Sequence, residues 1–220
     1  MNEKDSCTTR NSLPRIGDIA PDFSAATTHG PLSFHEWKKG KWALLFSHPA
    51  DFTPVCSTEL TEFAKHNAEF EKRDVKLIGI SIDSIHAHLA WQENLKKILD
   101  IELPFPLIAD SNTKVAALYG MIHPGESETV TVRALFVIDP SNKVRALIYY
   151  PLNAGRNVDE AMRLVQALQT VDANGVACPV NWRPGDKVIV PPPKTVADVA
   201  LRKKGEYEML DFYLCKKSLN

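Results

Sequence analysis

Apolar and polar positions run along this chain in blocks whose period changes several times. Trp42-Ala43-Leu44-Leu45-Phe46 is short and continuously apolar, the pattern of a buried strand. From Thr53 to about Arg73 the apolar positions Leu60, Phe63, Ala64 and Phe70 share one side of a predicted helix, which Asp74 ends. Val75 to Ser81 reads as a second strand. Ser84 then caps a helix to about Leu99, with Ile85, Leu89, Leu95 and Ile98 expected inward. A short strand at Pro106–Ala109 and a short helix from Asn112 to Tyr119 follow, stopped by Gly120. Thr129–Ile138 and Val144–Tyr150 are joined by Asp139-Pro140-Ser141-Asn142, a hairpin signal. An amphipathic helix with Leu164, Val165 and Leu168 on one face spans Val158–Val171.

Strands alternating with helices, then a hairpin and a last helix, predict an α/β fold with a mixed sheet. Beyond about Asn174 the character changes. Pro184, Pro191, Pro192 and Pro193 bracket a short Val188-Ile189-Val190 run, which suits an extended arm more than a packed core. The expected division is a flexible extension over 1–12, a main domain over 13–172 and an extended C-terminal arm or small domain over 173–220.

Composition narrows the function classes. The chain has 220 residues, enough for one domain plus an appendage, with 44% hydrophobic and 24% charged positions. A formal net charge of −1 gives no pull toward nucleic acid or an anionic membrane. Met1 to Asn11 is polar and lacks the apolar core of a secretory signal, and no run reaches the ~18 apolar residues of a membrane-spanning helix. The cysteines are Cys7, Cys56, Cys178 and Cys215, far apart and without a Cys-x-x-Cys pair. That pattern argues against a zinc site or a disulfide scaffold and for a cytoplasmic, reducing setting. No metal or cofactor is expected.

The candidate chemistry lies in Phe46-Ser47-His48-Pro49-Ala50-Asp51-Phe52-Thr53-Pro54-Val55-Cys56. An apolar run ends, a polar loop follows and a helix begins. Thr53 suits the N-cap, where its hydroxyl can accept from an N–H two or three residues on. Pro54 suits the first helical position, where its missing N–H costs nothing. Cys56 then falls in the first turn, where unpaired N–H groups favour a thiolate, the nucleophilic form of cysteine. Thr53-Pro54-Val55-Cys56 has the spacing of Cys-x-x-Cys with threonine in place of the first cysteine. The bland alternative is a buried, inert thiol, the commonest state of an isolated cysteine.

These residues resemble the peroxidatic-cysteine motif of the peroxiredoxins, Pro-x-x-x-Thr-x-x-Cys, at Pro49, Thr53 and Cys56. The longer run resembles the subgroup of one-Cys enzymes and their archaeal and bacterial relatives. The resemblance continues through Arg133, Tyr150-Pro151, Gly155-Arg156-Asn157 and Asn181-Trp182-Arg183-Pro184-Gly185-Asp186, from about Ile16 to about Leu214. It implies a thioredoxin-like fold and a dimer or ring of dimers formed with the C-terminal region. It also implies a thiol peroxidase acting on hydrogen peroxide and organic hydroperoxides, re-reduced by thioredoxin or another thiol.

Within that reading Cys56 attacks the peroxide and becomes a sulfenic acid. Thr53 places a hydroxyl beside the sulfur or the peroxide. Arg133 keeps the thiolate charged and donates to the peroxide through its fixed fork. Pro49 shields the sulfur, a role carried over from the family. His48 and Arg156 are expected in the substrate pocket. Each has a plainer alternative: Thr53 a cap only, and Arg133 and Arg156 ordinary surface arginines. His48 could instead be the base of a Cys–His hydrolase, although no aspartate or asparagine is evidently paired with it. His86 and His88 read as solvated helix-face histidines rather than metal ligands.

Two cysteines could resolve the sulfenic acid. Val176-Ala177-Cys178-Pro179 resembles the resolving context of typical two-Cys members. Cys215 resembles the C-terminal cysteine of the archaeal and bacterial members, which pairs with the peroxidatic cysteine of another subunit; Met209 stands where many of those tails carry a further cysteine. Cys215 is the first choice, Cys178 the second, and an outside thiol the third. Cys7 reads as incidental. Some one-Cys relatives also have a phospholipase motif, Gly-x-Ser-x-Gly; here Lys41 stands at the serine position, so that activity is not expected. An alternative of another class is a non-enzymatic redox sensor or holdase chaperone switched by Cys56 oxidation.

Overall fold

The computed structural model describes residues 13–205 and 207–219, so Cys7 and the extension over 1–12 lie outside the described residues. The chain forms two compact units that divide between Val158 and Asp159.

The first unit opens with β1 (Ser24–Ala25) and β2 (Leu32–Ser33), an antiparallel pair, and α1 (Phe34–Lys38). It continues through β3 (Trp42–Ser47), α2 (Pro54–Glu71), β4 (Val75–Ser81), α3 (Ile85–Leu99), β5 (Leu107–Ala109), α4 (Lys114–Leu118), β6 (Arg133–Ile138) and β7 (Val144–Tyr150). The sheet order is β5-β4-β3-β6-β7. β3, β4 and β5 run parallel, whereas β6 is antiparallel to both β3 and β7. The sheet is therefore mixed, as the block pattern implies.

Every residue of β3 and of β6 is buried, which explains the unbroken apolar runs Trp42–Phe46 and Ala134–Ile138. One core joins Leu45, Ile78, Ile80, Phe136 and Ile138 to Phe34, Tyr119 and Met121. Phe46 stacks on Phe63 of α2, with ring centroids 4.3 Å apart, and meets Phe105 edge-on. α2 thus anchors to the strand that leads into it. Its buried side also carries Glu59, Thr61 and Asn67, which apolar periodicity does not register.

α3 departs from expectation. Its buried residues are His88, Trp91 and Leu95, while Leu89, Ile98 and Leu99 are exposed. The inward face is rotated because a histidine with buried hydrogen-bond partners occupies it. Ser84 caps the helix as expected, accepting from the Ala87 N–H. β6 begins at Arg133 rather than near Thr129, since Thr131 turns its hydroxyl to the His48 carbonyl instead of joining a ladder.

A buried cation holds α1 to the β6–β7 turn. Lys38 is fully buried, and its Nζ donates to the carbonyls of Lys41 (2.7 Å), Asp139 (2.7 Å) and Pro140 (3.2 Å). Burial lowers its pKa, against the opposing pull of Asp139.

α5 (Val158–Asn174) leads the second unit, followed by β8 (Val188–Ile189), α6 (Val196–Arg202), β9 (Glu208–Asp211) and β10 (Leu214–Lys217). β10 lies between β8 and β9, antiparallel to both. Ala167, Val176, Trp182 and Val188 form a small core, with Cys178 and Leu219 packed on it. The C-terminal part is therefore a small folded unit, the second of the two expected forms, and Pro191–Pro193 is the link between β8 and α6. No helix among the described residues is long and apolar enough to cross a membrane.

Candidate active site

β3 ends at Ser47, whose hydroxyl donates to the Val132 carbonyl at 2.6 Å and accepts the Ala134 N–H at 3.0 Å. The His48 N–H donates to Ile80, and Thr131 Oγ1 donates to the His48 carbonyl at 2.8 Å. The loop after β3 is thus tied to both neighbouring strands before it turns into α2. Phe52 completes that turn in the left-handed region at φ 55°, unusual for a bulky residue. Thr53 occupies the N-cap with extended backbone, and Pro54 begins the helix.

The expected capping bond from Thr53 is not made. Its hydroxyl instead donates to the Ala50 carbonyl at 2.8 Å, closing the loop on itself. With that proton committed, the oxygen keeps lone pairs that can accept from a third group. Pro49 is buried. Cys56 lies in the first turn of α2 and is fully buried.

Arg133 reaches Cys56 from the start of β6. Its Nη1 stands 3.4 Å from Cys56 Sγ and donates to Glu59 Oε2 at 2.7 Å. Nε and Nη2 both bond the Leu152 carbonyl, at 3.0 and 2.7 Å, which fixes the guanidinium plane. Arg133 is 2% exposed, so it is no surface arginine. Arg156 is buried too and grips Glu59. Its backbone N–H and Nε donate to Oε1 at 2.8 and 2.9 Å, and Nη2 donates to Oε2 at 2.8 Å. Nη1 donates to the Ala134 carbonyl, and the guanidinium lies over the rings of Phe46 and Phe63.

Apolar periodicity along α2 does not register Glu59, yet its side chain is buried. The missed signal was its position one helical turn after Cys56, on the same side of α2. Burial acts to raise its pKa, but the charge and hydrogen bonds of Arg156 and the charge of Arg133 outweigh it and hold the carboxyl below its ordinary range. Two buried guanidiniums therefore face one carboxylate. The unmatched positive charge lies where Arg133 meets Cys56, and a thiolate there would neutralise it.

His48 and His88 also need correction. His48 does have a carboxylate partner: Nε2 bonds Asp51 Oδ1 at 2.9 Å. His88 is not solvated but fully buried, and its Nδ1 bonds Asp51 Oδ2 at 2.7 Å. His86 is exposed as expected. The donor atoms of His48, Asp51 and His88 lie within 4.8 Å of one another, a spacing compatible with a metal, yet they already bond one another.

Among the described residues, the other two cysteines, Cys178 and Cys215, are in the second unit. Cys215 on β10 is fully buried, and its Sγ donates to the carbonyls of Asp211 (3.3 Å) and Phe212 (3.7 Å). Cys178 is half-buried with Sγ 3.6 Å from the Ala167 carbonyl; burial pushes its thiol up, against Arg163 nearby.

A mixed sheet with a cysteine in the first turn of the helix after β3 defines a thioredoxin-like thiol protein. The chain matches the AhpC/TSA family over residues 16–147 and the C-terminal domain of 1-Cys peroxiredoxin over 167–207. It is 55% identical over 218 residues to a peroxiredoxin of Aquifex aeolicus, covering 94% of this chain and 98% of that protein. With Peroxiredoxin 2 of Caldanaerobacter subterraneus subsp. tengcongensis it shares 50% identity over 212 residues, covering 96% of each. The structure superposes on the yeast mitochondrial 1-Cys peroxiredoxin with a TM-score of 0.85 at 41% identity, covering 94% of this chain and all of that one. Peroxiredoxin 6 of Arenicola marina, as a cysteine-to-serine variant, gives a TM-score of 0.84 at 36% identity, covering 94% and 98%. The chain belongs to the peroxiredoxins, a family of thiol peroxidases with an antioxidant function.

Proposed function

We propose that Cys56 reduces hydrogen peroxide and small organic hydroperoxides. The contact between Arg133 Nη1 and Cys56 Sγ carries this reading, because it sets the surplus cation of the Arg133–Glu59–Arg156 cluster against the sulfur. The thiolate attacks the terminal peroxide oxygen. An S–O bond forms, the O–O bond breaks, and the leaving oxygen departs as hydroxide or alkoxide and takes up a proton as water or alcohol. The sulfur becomes a sulfenic acid.

Arg133 offers its N–H groups to the charge that grows on the leaving oxygen. The Thr53 oxygen, its own proton held by Ala50, accepts the peroxide O–H and helps align the O–O bond. Pro49 walls the sulfur from bulk water. Glu59 and Arg156 hold Arg133 in place, so Arg156 acts through Glu59. A Cys–His hydrolase fits less well: Cys56 Sγ meets the Arg133 guanidinium, and His48 directs Nε2 to Asp51.

Cys215 of a second subunit then resolves the sulfenic acid by forming a disulfide and releasing water, and thioredoxin or another thiol reduces that disulfide. The working unit is a dimer or a ring of dimers, in the cytoplasm. Cys56→Ser tests the central claim: peroxide consumption over many turnovers, with dithiothreitol or thioredoxin as reductant, should vanish. Turnover that persists would overturn it.

A further inference from the structure

The loop leading into α2 carries a second buried polar cluster that the reaction above does not use. Asp51 sits between two histidines, and the side chains of His48, Asp51 and His88 are 0%, 1% and 0% exposed. The hydrogen-bond partners fix where the protons are. His88 Nε2 lies 3.1 Å from the Ile108 carbonyl, which only accepts, so Nε2 carries hydrogen. His88 Nδ1 lies 2.7 Å from Asp51 Oδ2, which requires one more proton between them.

Burial favours the neutral acid at Asp51, but the hydrogen bonds it accepts from His48 and His88 outweigh it and hold the carboxyl ionised below its ordinary range. The second proton then belongs to Nδ1. Burial keeps His48 neutral in spite of Asp51, with its hydrogen on Nε2. The other groups facing the cluster are few. Asp83, after β4, accepts the Asp51 N–H at 3.0 Å and the Ser81 hydroxyl at 2.7 Å. Trp91 lies against His48, and β5 presents the Ile108 carbonyl.

We infer that His88 is a buried imidazolium and a positioning residue for Cys56: it cancels the charge of Asp51 and ties α3 and β5 to the loop that carries Pro49 and Thr53. This rests on reading Cys56 as the peroxidatic nucleophile. Arg133, Arg156 and Glu59 leave one positive charge for a thiolate. An uncompensated Asp51 carboxylate in the adjoining loop would offset that charge and disfavour the thiolate.

Nitrogen-15 imidazole spectra of the full chain at neutral pH, assigned through bonds to the backbone, read the protonation directly. Both ring nitrogens of His88 should be protonated, and His48 should carry hydrogen on Nε2 alone. An unprotonated Nδ1 on His88 overturns the inference. The positioning role is read from the rate of Cys56 oxidation by hydrogen peroxide against pH. In His88→Gln the midpoint should rise by about one pH unit, roughly a tenfold loss of rate below it. Asp51→Asn with His88→Gln removes both charges and should restore the midpoint. A midpoint unmoved in the single variant, or not restored in the double one, overturns the positioning role. A wild-type chain that consumes no peroxide would sink the peroxidase reading instead, and the nitrogen spectra would still decide the charge on His88.

Discussion

Arg133 stands with one guanidinium nitrogen 3.4 Å from the sulfur of Cys56, although the two residues are 77 positions apart in the chain. The contact exists because β6 lies antiparallel to β3, whose end leads into the helix that carries Cys56. The other guanidinium bonds leave Arg133 little freedom to swing away: Leu152 takes two donors and Glu59 a third.

Removing that guanidinium should slow the chemistry far more than it alters the fold. Arg133→Gln is expected to lower the rate of Cys56 oxidation by peroxide on the order of 10²–10³-fold, the usual cost of losing a preorganised donor. Arg133→Lys keeps a charge but not the fork and should fall between. Stopped-flow tryptophan fluorescence during a single oxidation measures both, and equal rates for the three proteins would contradict the role.

Glu59 ties the Arg133–Arg156 pair to acid stability. Its carboxyl titrates below its ordinary value of 4.5, so the unfolded chain takes up the proton first as pH falls. The resulting stability is fully present above the ordinary value and is lost as pH drops toward the folded one. Glu59→Ala leaves Arg133 and Arg156 buried without a counter-charge and should destabilise the fold by about 3–5 kcal/mol at neutral pH. Urea unfolding of the wild type between pH 7 and 3 should show the acid loss, and Glu59→Gln should flatten that part of it.

Lys38 makes a separate structural prediction. Lys38→Met preserves length and burial but leaves the carbonyls of Lys41, Asp139 and Pro140 without this donor. Unmet buried acceptors cost about 1–3 kcal/mol. Chemical denaturation should show that loss while the rate of peroxide reduction by the folded protein stays near wild type. A variant as stable as wild type would mean that the clamp contributes nothing.

The fate of the sulfenic acid is open to a direct test. After one equivalent of peroxide, a non-reducing gel of wild type should show a disulfide-linked dimer that disappears in Cys215→Ser and survives in Cys178→Ser. Because Cys215 is buried and bonded to Asp211 and Phe212, its strand must open before the thiol can react. Alkylation of Cys215 in the reduced protein should therefore be slow. Loss of the dimer in Cys178→Ser alone would transfer the role to Cys178, and no dimer in wild type would leave an outside thiol as resolver.

Local sequence determined much of this protein. The continuous apolar run of β3, the strand over Val75–Ser81, the Thr53-Pro54 helix start, Ser84 as a cap and the Asp139–Asn142 hairpin all lie where residue pattern puts them. These depend on neighbours in the chain, so a short window contains the cause. The place of Cys56 in the first turn of α2 was legible for the same reason.

Tertiary structure alone decided which charges are buried. Glu59 looks like a surface acid on an amphipathic helix until Arg156 and Arg133 arrive from distant strands and loops to satisfy it. His88 turns inward, in place of Leu89, because Asp51 and the Ile108 carbonyl offer it partners. The hydroxyl of Thr53 chose Ala50 over the helix end, a choice set by the path of the loop. A charged side chain is affordable inside a protein only when its partners are in place, and those partners come from parts of the chain that no local pattern connects.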